Sequence, residues 1–136
     1  MIYARPRDVI RIPFEGTANM ATAGSLSTVP RVAWPNGLWC LAFVRVHFSS
    51  GTGAADCTLS RDTRGEQGSS HNADLFVFRD RGTGVDINFI VLPEEYAAWT
   101  FDRDEELILR WTNPNSGTMR WAALIGIVPE DKIVAA

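Results

Sequence analysis

The chain has 136 residues, 46% of them hydrophobic, which suits one domain with a conventional apolar core. Thirteen basic and 16 acidic residues give a net charge of −3, whereas a general nucleic-acid binder carries a basic excess. No apolar run reaches the roughly 18 residues of a membrane-spanning helix, and the N-terminus lacks the apolar segment of a secretion signal. A membrane, secreted or disordered protein is therefore not expected.

Two short strands are predicted in the first quarter of the chain. Apolar residues alternate from Val9 to Phe14, which is the period of a strand with one buried face. Pro13 lies within this segment and lacks a backbone donor, so the strand belongs at the edge of a sheet. A second strand is expected between Leu26 and Val32.

The segment from Leu38 to Phe48 is the strongest strand. One face is apolar along its whole length. The other face begins apolar, at Trp39 and Leu41, and ends polar, at Arg45 and His47. This pattern predicts a strand that is covered on both sides at one end and exposed on one side at the other.

A turn near Thr52 is expected to pair this strand with the segment that follows. In that register Cys57 faces Val46 and lies roughly 20 Å along the strand from Cys40. A disulfide needs Cα atoms closer than about 7 Å. We therefore expect two buried free thiols, although packing between opposite sheets would still allow the two cysteines to meet.

A second hairpin is predicted between residues 75 and 91. Its turn lies near Gly82, which places Phe78 opposite Val85 and Phe76 opposite Ile87. Both are pairs of an aromatic and a β-branched side chain, which stabilise neighbouring strands.

A third hairpin is predicted around Asn115. It places Trp111 opposite Met119 and Leu109 opposite Trp121, with all four side chains on one face. Between these hairpins, residues 93–98 predict one helical turn with proline at its start, and residues 99–101 a further short strand.

The same register sets Arg110 opposite Arg120 on the outer face. Like charges across a strand pair are destabilising. The pair persists more easily if a carboxylate lies between them, either from this chain or from another, and arginine is enriched in protein interfaces. Two solvated side chains are the alternative. We expect both arginines to contribute to an interface.

Together these elements predict an all-β chain, in which no segment has a sustained helical period. Seven to nine strands joined by short turns must bury their apolar faces against another sheet or close into a barrel. The predicted fold is an antiparallel β-sandwich of jelly-roll type with about eight strands. Residues 1–136 form one domain.

The sequence contains no constellation that indicates catalysis. Two histidines, His47 and His71, are too few for a zinc site at ordinary spacing. The acidic segment 102–106 is interpreted as a solvated turn, with a calcium site as the alternative. We expect a protein that is not an enzyme and that has no cofactor or metal.

Five tryptophans invite a carbohydrate-binding interpretation, because an aromatic face stacks on a pyranose ring. Three of them fall on predicted core positions. Trp34 and Trp99 lie in less regular segments and are the candidates for stacking on a glycan.

The C-terminal third carries a resemblance. Its segments are Leu92-Pro93-Glu94-Glu95-Tyr96, Trp99-Thr100-Phe101, residues 107–115 and Trp121-Ala122-Ala123-Leu124. This succession resembles the closing strands of small β-sandwich structural proteins of tailed bacteriophages, including capsid decoration (cement) proteins. The resemblance implies a virion protein bound to the outside of an assembled head, often as a trimer. It carries no site residue.

Both ends of the chain are predicted to be extended arms, over residues 1–8 and 129–136. Extended segments add to a neighbour's sheet through backbone hydrogen bonds. The candidate interface residues in these arms are Tyr3, Arg5, Arg7, Ile133 and Val134.

The leading hypothesis is therefore a non-enzymatic protein of the virion, made in the host cytoplasm, that stabilises or decorates the surface of a bacteriophage capsid. Its expected partners are copies of itself, with a trimer favoured, and the major capsid protein or another virion protein. Neither nucleic acid nor a membrane is expected as a partner. The alternative is a carbohydrate-binding, lectin-like module or a host-adhesion domain.

Overall fold

A computed structural model describes residues 2–20, 26–34, 36–48, 57–63, 72–78, 86–112 and 117–135. Strands dominate these residues, joined by three short 3-10 turns. The strands are β1 (Ile2–Ala4), β2 (Ile10–Met20), β3 (Leu26–Ala33), β4 (Trp39–Phe48), β5 (Cys57–Thr63), β6 (Asn72–Phe78), β7 (Asp86–Ile90), β8 (Thr100–Phe101), β9 (Glu105–Thr112), β10 (Gly117–Pro129) and β11 (Ile133–Ala135). The turns are Pro6–Asp8, Pro93–Trp99 and Glu130–Lys132.

Nine of the strands form two antiparallel sheets. The first has the order β2-β10-β4-β7, with β8 paired to the start of β4, and the second has the order β3-β9-β5-β6. The pairs are nested along the chain, because β2 pairs with β10, β3 with β9, β4 with β7 and β5 with β6. This is the strand order of a jelly roll, and the predicted fold class is confirmed.

The space between the two sheets is filled by apolar side chains. Val44, Phe48, Leu107, Leu109 and Ile125 are each no more than 2% exposed. Among the described residues, Ser60 is the buried polar side chain of this core. The sandwich is therefore held together by apolar burial, which contributes about 25 cal/mol for each Å² removed from water.

Burial along β4 follows the sequence prediction, whereas the predicted continuous apolar face is wrong: Leu38 is 44% exposed, and the alternation changes within the strand. Trp39 and Leu41 at its start are fully buried, whereas Arg45 and His47 near its end are exposed. The pairing of β4 with β10 shifts by one residue inside the strand, because Gly126 lies opposite Phe43 whereas the next residue, Ile127, lies opposite Leu41. Ala42 is thus the extra residue of a β-bulge, which reverses the alternation between the two halves of the strand.

The edge strands and the short elements also follow the predictions. β2 and β3 each lie at the edge of a sheet, and Pro13 is in β2. The predicted helical turn is the 3-10 turn Pro93–Trp99. Its last residue is Trp99, so the short strand after it begins at Thr100. In the part of the chain that the structure describes, no helix is long and apolar enough to cross a membrane.

The three predicted hairpins are wrong, and each fails in the same way. β4 and β5, β6 and β7, and β9 and β10 are neighbours in sequence but lie in different sheets. Phe76 therefore lies opposite Leu59, and Ile87 opposite Val46. The prediction assumed that a short connection joins strands of one sheet, whereas each of these connections crosses from one sheet to the other.

The third hairpin and the predicted facing of Cys57 fail for this reason. Leu109 lies opposite Leu59, and Trp121 opposite Phe48. Cys57 is in the second sheet, opposite Trp111, and so cannot face Val46. Cys40 is a buried free thiol, as predicted.

Candidate assembly surface

The two predicted arms pair with each other. β1 runs antiparallel to β11, with Tyr3 opposite Val134 and Ala4 opposite Ile133. Ala4 and Ile133 also pack against the buried core. Neither segment therefore extends from the domain as a separate arm, because each satisfies backbone donors and acceptors of the other. This pair of strands is termed the terminal ribbon.

The arginines that follow β1 are exposed. Arg5 and Arg7 flank Pro6 in the 3-10 turn Pro6–Asp8. The Arg7 side chain is 73% exposed, and its Nε lies 4.0 Å from Asp8 Oδ1. An exposed ion pair of this length contributes little to stability, so this positive charge is available beside the terminal ribbon.

The structure separates the other two predicted interface arginines. Arg110 lies in the second sheet, with its backbone opposite Thr28 and Thr58. Arg120 lies in the first sheet, opposite Thr17, and is exposed. The predicted pairing of two arginines is therefore wrong, and no bridging carboxylate is needed. The side chain of Arg110 is outside the described residues.

The exposed side of the first sheet is a second broad surface, which we term the outer face. Its centre is β10, where Ala122, Leu124 and Gly126 lie opposite His47, Arg45 and Phe43 of β4. The alternate residues of these strands are buried in the core. The outer face comprises Arg11, Pro13, Glu15, Phe43, Arg45, His47, Asn88, Ile90, Ala122, Leu124 and Gly126.

Phe43 is held flat against the outer face. A Cβ on Gly126 would overlap the Phe43 ring, so only glycine leaves room for the ring at this position. The Arg45 guanidinium carbon is 5.1 Å from the ring centroid, and that of Arg11 is 6.0 Å from it. Such cation–π contacts are worth about 0.5–1 kcal/mol at exposed sites. The three side chains form a fixed cluster at one end of the face.

A groove of about 770 Å³ crosses the other end of the outer face. Small and apolar residues of β10 and β2 line it, among them Ala122, Leu124 and Pro13. The side chains of Arg45 and His47 also line the groove. An apolar floor with a few charged groups at its edge is the composition of many binding surfaces.

Two exposed apolar residues extend this surface beyond β4. Ile90 is 57% exposed and lies opposite Phe43 in the register of β4 with β7. Leu92, two residues later, is 54% exposed. Neither residue was predicted from the sequence to be part of an interface. The signal was present, because Ile90 is apolar at a position where the alternation of β7 calls for a surface residue.

The two tryptophans of the carbohydrate interpretation have different environments. Trp99 is buried, and its ring centroid is 5.0 Å from that of Phe89. It offers no free face to a sugar, and this part of the interpretation is wrong. Trp34 is half-buried, packs against the core and lines a cavity of about 350 Å³.

The polar groups under the 3-10 turn Pro93–Trp99 are structural. The Thr100 hydroxyl donates to the Tyr96 carbonyl oxygen over 2.7 Å. Its single proton is thus used, so the Cys40 thiol, whose Sγ is 3.2 Å from Thr100 Oγ1, is the donor in that contact. Burial raises the pKa of the Cys40 thiol, and the negative charge of Glu130 adds to the rise. Burial also raises the pKa of Tyr96.

The acidic segment forms a hydrogen-bonded turn. Asp102 accepts from the Glu105 N–H with its carbonyl oxygen, and the Asp102 N–H donates to Glu105 Oε1. Glu105 also lies 3.5 Å from Arg61, whose guanidinium stacks on the Phe101 ring at 4.6 Å. Arg61 donates to the Thr100 carbonyl oxygen over 2.8 Å. The Arg61 side chain thus links β5 of the second sheet to the turn between β8 and β9.

Metal-binding side chains are not clustered within the described residues. No group of three His, Cys, Asp or Glu side chains there could hold a metal ion. His47 is exposed on β4, and His71 lies outside the described residues.

No protein-family model matches the chain, and no curated protein matches it. Solved structures are similar at low identity. T=1 particles derived from infectious bursal virus match over 91% of this chain and 32% of that chain, with 10% identity and a TM-score of 0.48. The tobacco streak virus coat protein dimer matches over 93% and 94%, with 11% identity and a TM-score of 0.41.

The core of Drosophila NLP, described for pentamer formation and histone binding, matches over 86% of this chain and 98% of that chain, with 13% identity and a TM-score of 0.35. The chain spans about a third of the length of the bursal virus protein. Because each of these three scores is below 0.5, the likenesses assign the chain neither a family nor a function.

Proposed function

We propose that this protein is a non-enzymatic structural component of a virus particle, and that it binds and decorates the surface of an assembled bacteriophage capsid. It acts through contacts with copies of itself, as a trimer, and with the major capsid protein or another virion protein. This hypothesis retains the resemblance of the C-terminal third to phage structural proteins.

The observation that carries the proposal is a jelly roll whose described interior is packed with apolar side chains. Jelly rolls occur in capsid proteins, in lectins and in cupins. Leu107, Leu109 and Ile125 fill the space between the sheets here, so the recognition surfaces of the domain are on its outside.

The outer face has the composition of a protein interface. It combines an aromatic ring, two arginines and exposed aliphatic side chains, and arginine and aromatic residues are enriched in interfaces. Ile90 and Leu92, both more than half exposed, lose contact with water only when another molecule covers them. The terminal ribbon supports the proposal as well, because a two-stranded sheet has open edges to which a neighbour's strand can add.

The experiment is a pair of matched surface variants. Ile90→Glu places a charge on an exposed apolar residue of the outer face, and Ala97→Glu places one on an exposed residue of the 3-10 turn Pro93–Trp99. We expect Ile90→Glu to reduce occupancy on capsids at least about tenfold, because a buried unpaired charge is costly. Ala97→Glu should bind as the parent does. Cosedimentation with capsids measures occupancy, and light scattering after size exclusion measures the oligomer.

Four outcomes bear on the proposal. A parent mass of three times 15.0 kDa supports the trimer. Loss of capsid binding in Ile90→Glu alone, with an unchanged melting temperature, supports the outer face. Equal binding by both variants would contradict a role for this face, and no binding of the parent to capsids would contradict the function itself.

The carbohydrate-binding alternative has fewer candidate residues in the structure than the sequence suggested. It relied on Trp34 and Trp99, and the burial of Trp99 leaves one tryptophan. Trp34 lines a cavity of about 350 Å³, and a glycan site there is compatible with a virion role.

A further inference from the structure

A cavity of about 350 Å³ lies where two turns of the chain meet. The connection from β3 to β4 contributes Trp34, Asn36 and Leu38, and the 3-10 turn Glu130–Lys132 contributes the opposite wall. The Glu130 N–H donates to the Leu38 carbonyl oxygen over 2.9 Å. This hydrogen bond fixes the distance between the two turns, so the cavity is built into the fold.

The aromatic wall of the cavity is held in place. Trp34 packs against the buried core while part of it remains exposed. Gly37 has a φ of 145°, a left-handed conformation that favours glycine and brings the chain back toward β4. Leu38, 44% exposed, adds an apolar rim. A fixed ring that is partly exposed binds a flat apolar surface at little cost in entropy.

The remaining wall is polar and can both donate and accept hydrogen bonds. Asn36 carries an amide, Glu130 and Asp131 carry carboxylates and Lys132 carries an ammonium group, all on exposed residues. A fully apolar ligand would desolvate these groups without replacing their hydrogen bonds. A phosphate would meet two negative charges. A neutral ligand rich in hydroxyl groups satisfies both kinds of group at once.

We propose that this cavity binds one pyranose unit of a glycan, with the ring of Trp34 against its apolar C–H face. Asn36 and Asp131 bind its hydroxyl groups. The volume is near the lower end of small-molecule sites, which suits a single sugar ring with the glycan chain continuing into solvent. The site lies on residues distinct from the outer face, so it adds a contact with a glycosylated surface to the proposed assembly role.

Saturation-transfer NMR tests the site directly. The probes are the methyl glycosides of glucose, galactose, mannose and N-acetylglucosamine, each at millimolar concentration because one ring supplies few contacts. We expect saturation of at least one probe, strongest at the ring protons of its apolar face. Trp34→Phe keeps an aromatic ring and should retain the signal, whereas Trp34→Ala should abolish it.

A second set of variants separates binding from folding, because Trp34→Ala also removes packing against the core. Asn36→Ala and Asp131→Asn change exposed side chains at the cavity, and each should weaken binding about tenfold, as expected for one lost hydrogen bond. Asp104→Asn is the matched control, since Asp104 is exposed in the turn before β9 and does not line the cavity. It should bind as the parent does.

Two results would overturn the site. One is the absence of saturation for all four glycosides with the folded parent protein. The other is a signal that Asn36→Ala and Asp131→Asn leave as strong as Asp104→Asn does, because the sugar would then bind elsewhere. Capsid binding by the parent is a separate measurement, so either proposal can fail without the other.

Discussion

Phe43 and Gly126 show how one residue can determine the surface beside it. The ring occupies the space where any other side chain at position 126 would begin, and Arg11 and Arg45 lie over it. Ala42, the extra residue of the β-bulge, lies directly before Phe43 in β4. The glycine therefore allows an aromatic residue to lie flat at the point where the strand changes its alternation.

Substitution of Gly126 tests this packing. Gly126→Ala must displace the ring, and overpacking of this kind costs typically about 1–3 kcal/mol in the free energy of unfolding. In the background of Phe43→Ala the new methyl group has room, so the same change should cost less than about 0.5 kcal/mol. Urea unfolding of the four proteins of this double-mutant cycle gives the coupling. Equal costs in both backgrounds would contradict the contact.

Cys40 leads to a prediction for alkaline pH. Its thiol keeps its proton in the folded state because burial raises its pKa, whereas in the unfolded chain it ionises above about pH 8.5. The unfolded state then binds fewer protons than the folded state, so stability falls as pH rises. The limiting slope is about 1.4 kcal/mol for each pH unit.

Cys40→Ala should remove this part of the slope. We expect the parent to lose more unfolding free energy between pH 7.5 and pH 10 than the variant does, measured by urea unfolding at fixed ionic strength. Both proteins keep all other titratable groups, so the difference reports the Cys40 thiol together with the effect of its charge on Tyr96. Parallel losses would show that the Cys40 thiol has the same pKa in both states.

At the scale of elements, the sequence predicted strands better than it predicted their partners. Alternation between Leu38 and Phe48 identified the buried and the exposed residues of β4, and Pro13 identified an edge. Alternation specifies the face of each side chain but not the neighbouring strand. The three connections that predict hairpins, β4–β5, β6–β7 and β9–β10, instead cross from one sheet to the other.

Local sequence patterns identify residues of the candidate surfaces but not the contacts between distant segments that bring those residues together. Tyr3 and Val134 were selected separately, but their pairing depends on a contact between opposite ends of the chain that no local pattern encodes. The outer face requires knowledge that β10 lies between β2 and β4. Trp34 was found from its residue type alone, while its polar neighbours come from a turn almost 100 residues away.

The terminal ribbon carries a prediction at this scale. Deletion of residues 1–7 removes β1 and the packing of Ala4, but leaves both sheets of the sandwich intact. A two-stranded ribbon is marginally stable on its own, so the melting temperature should fall by only a few degrees. Attachment to the particle or oligomerisation should weaken. Scanning calorimetry and cosedimentation measure the two effects.

The double variant Arg5→Ala and Arg7→Ala is the control, because it removes the exposed charge and keeps β1. Unchanged occupancy of the deleted protein on particles would remove the ribbon from the interface. If the deleted protein is unfolded at ambient temperature, β1 is instead required for the stability of the domain.

At the scale of the whole molecule, two sheets enclose an apolar interior, so the groups that can bind a partner lie on the surface. The outer face carries an apolar patch and arginines, the terminal ribbon presents backbone edges, and the cavity beside Trp34 presents mixed polar groups. These surfaces share no residue, so under the proposed function each is available to a different partner. This arrangement suits a component of a symmetric assembly.

Electron cryomicroscopy of the native phage particle tests the central claim most directly. We expect density for a two-sheet domain on the capsid surface, repeated by the symmetry of the shell, with Phe43 and Ile90 of the outer face buried against another protein. A particle that lacks this domain, or that holds it with both the outer face and the terminal ribbon open to solvent, would contradict the account.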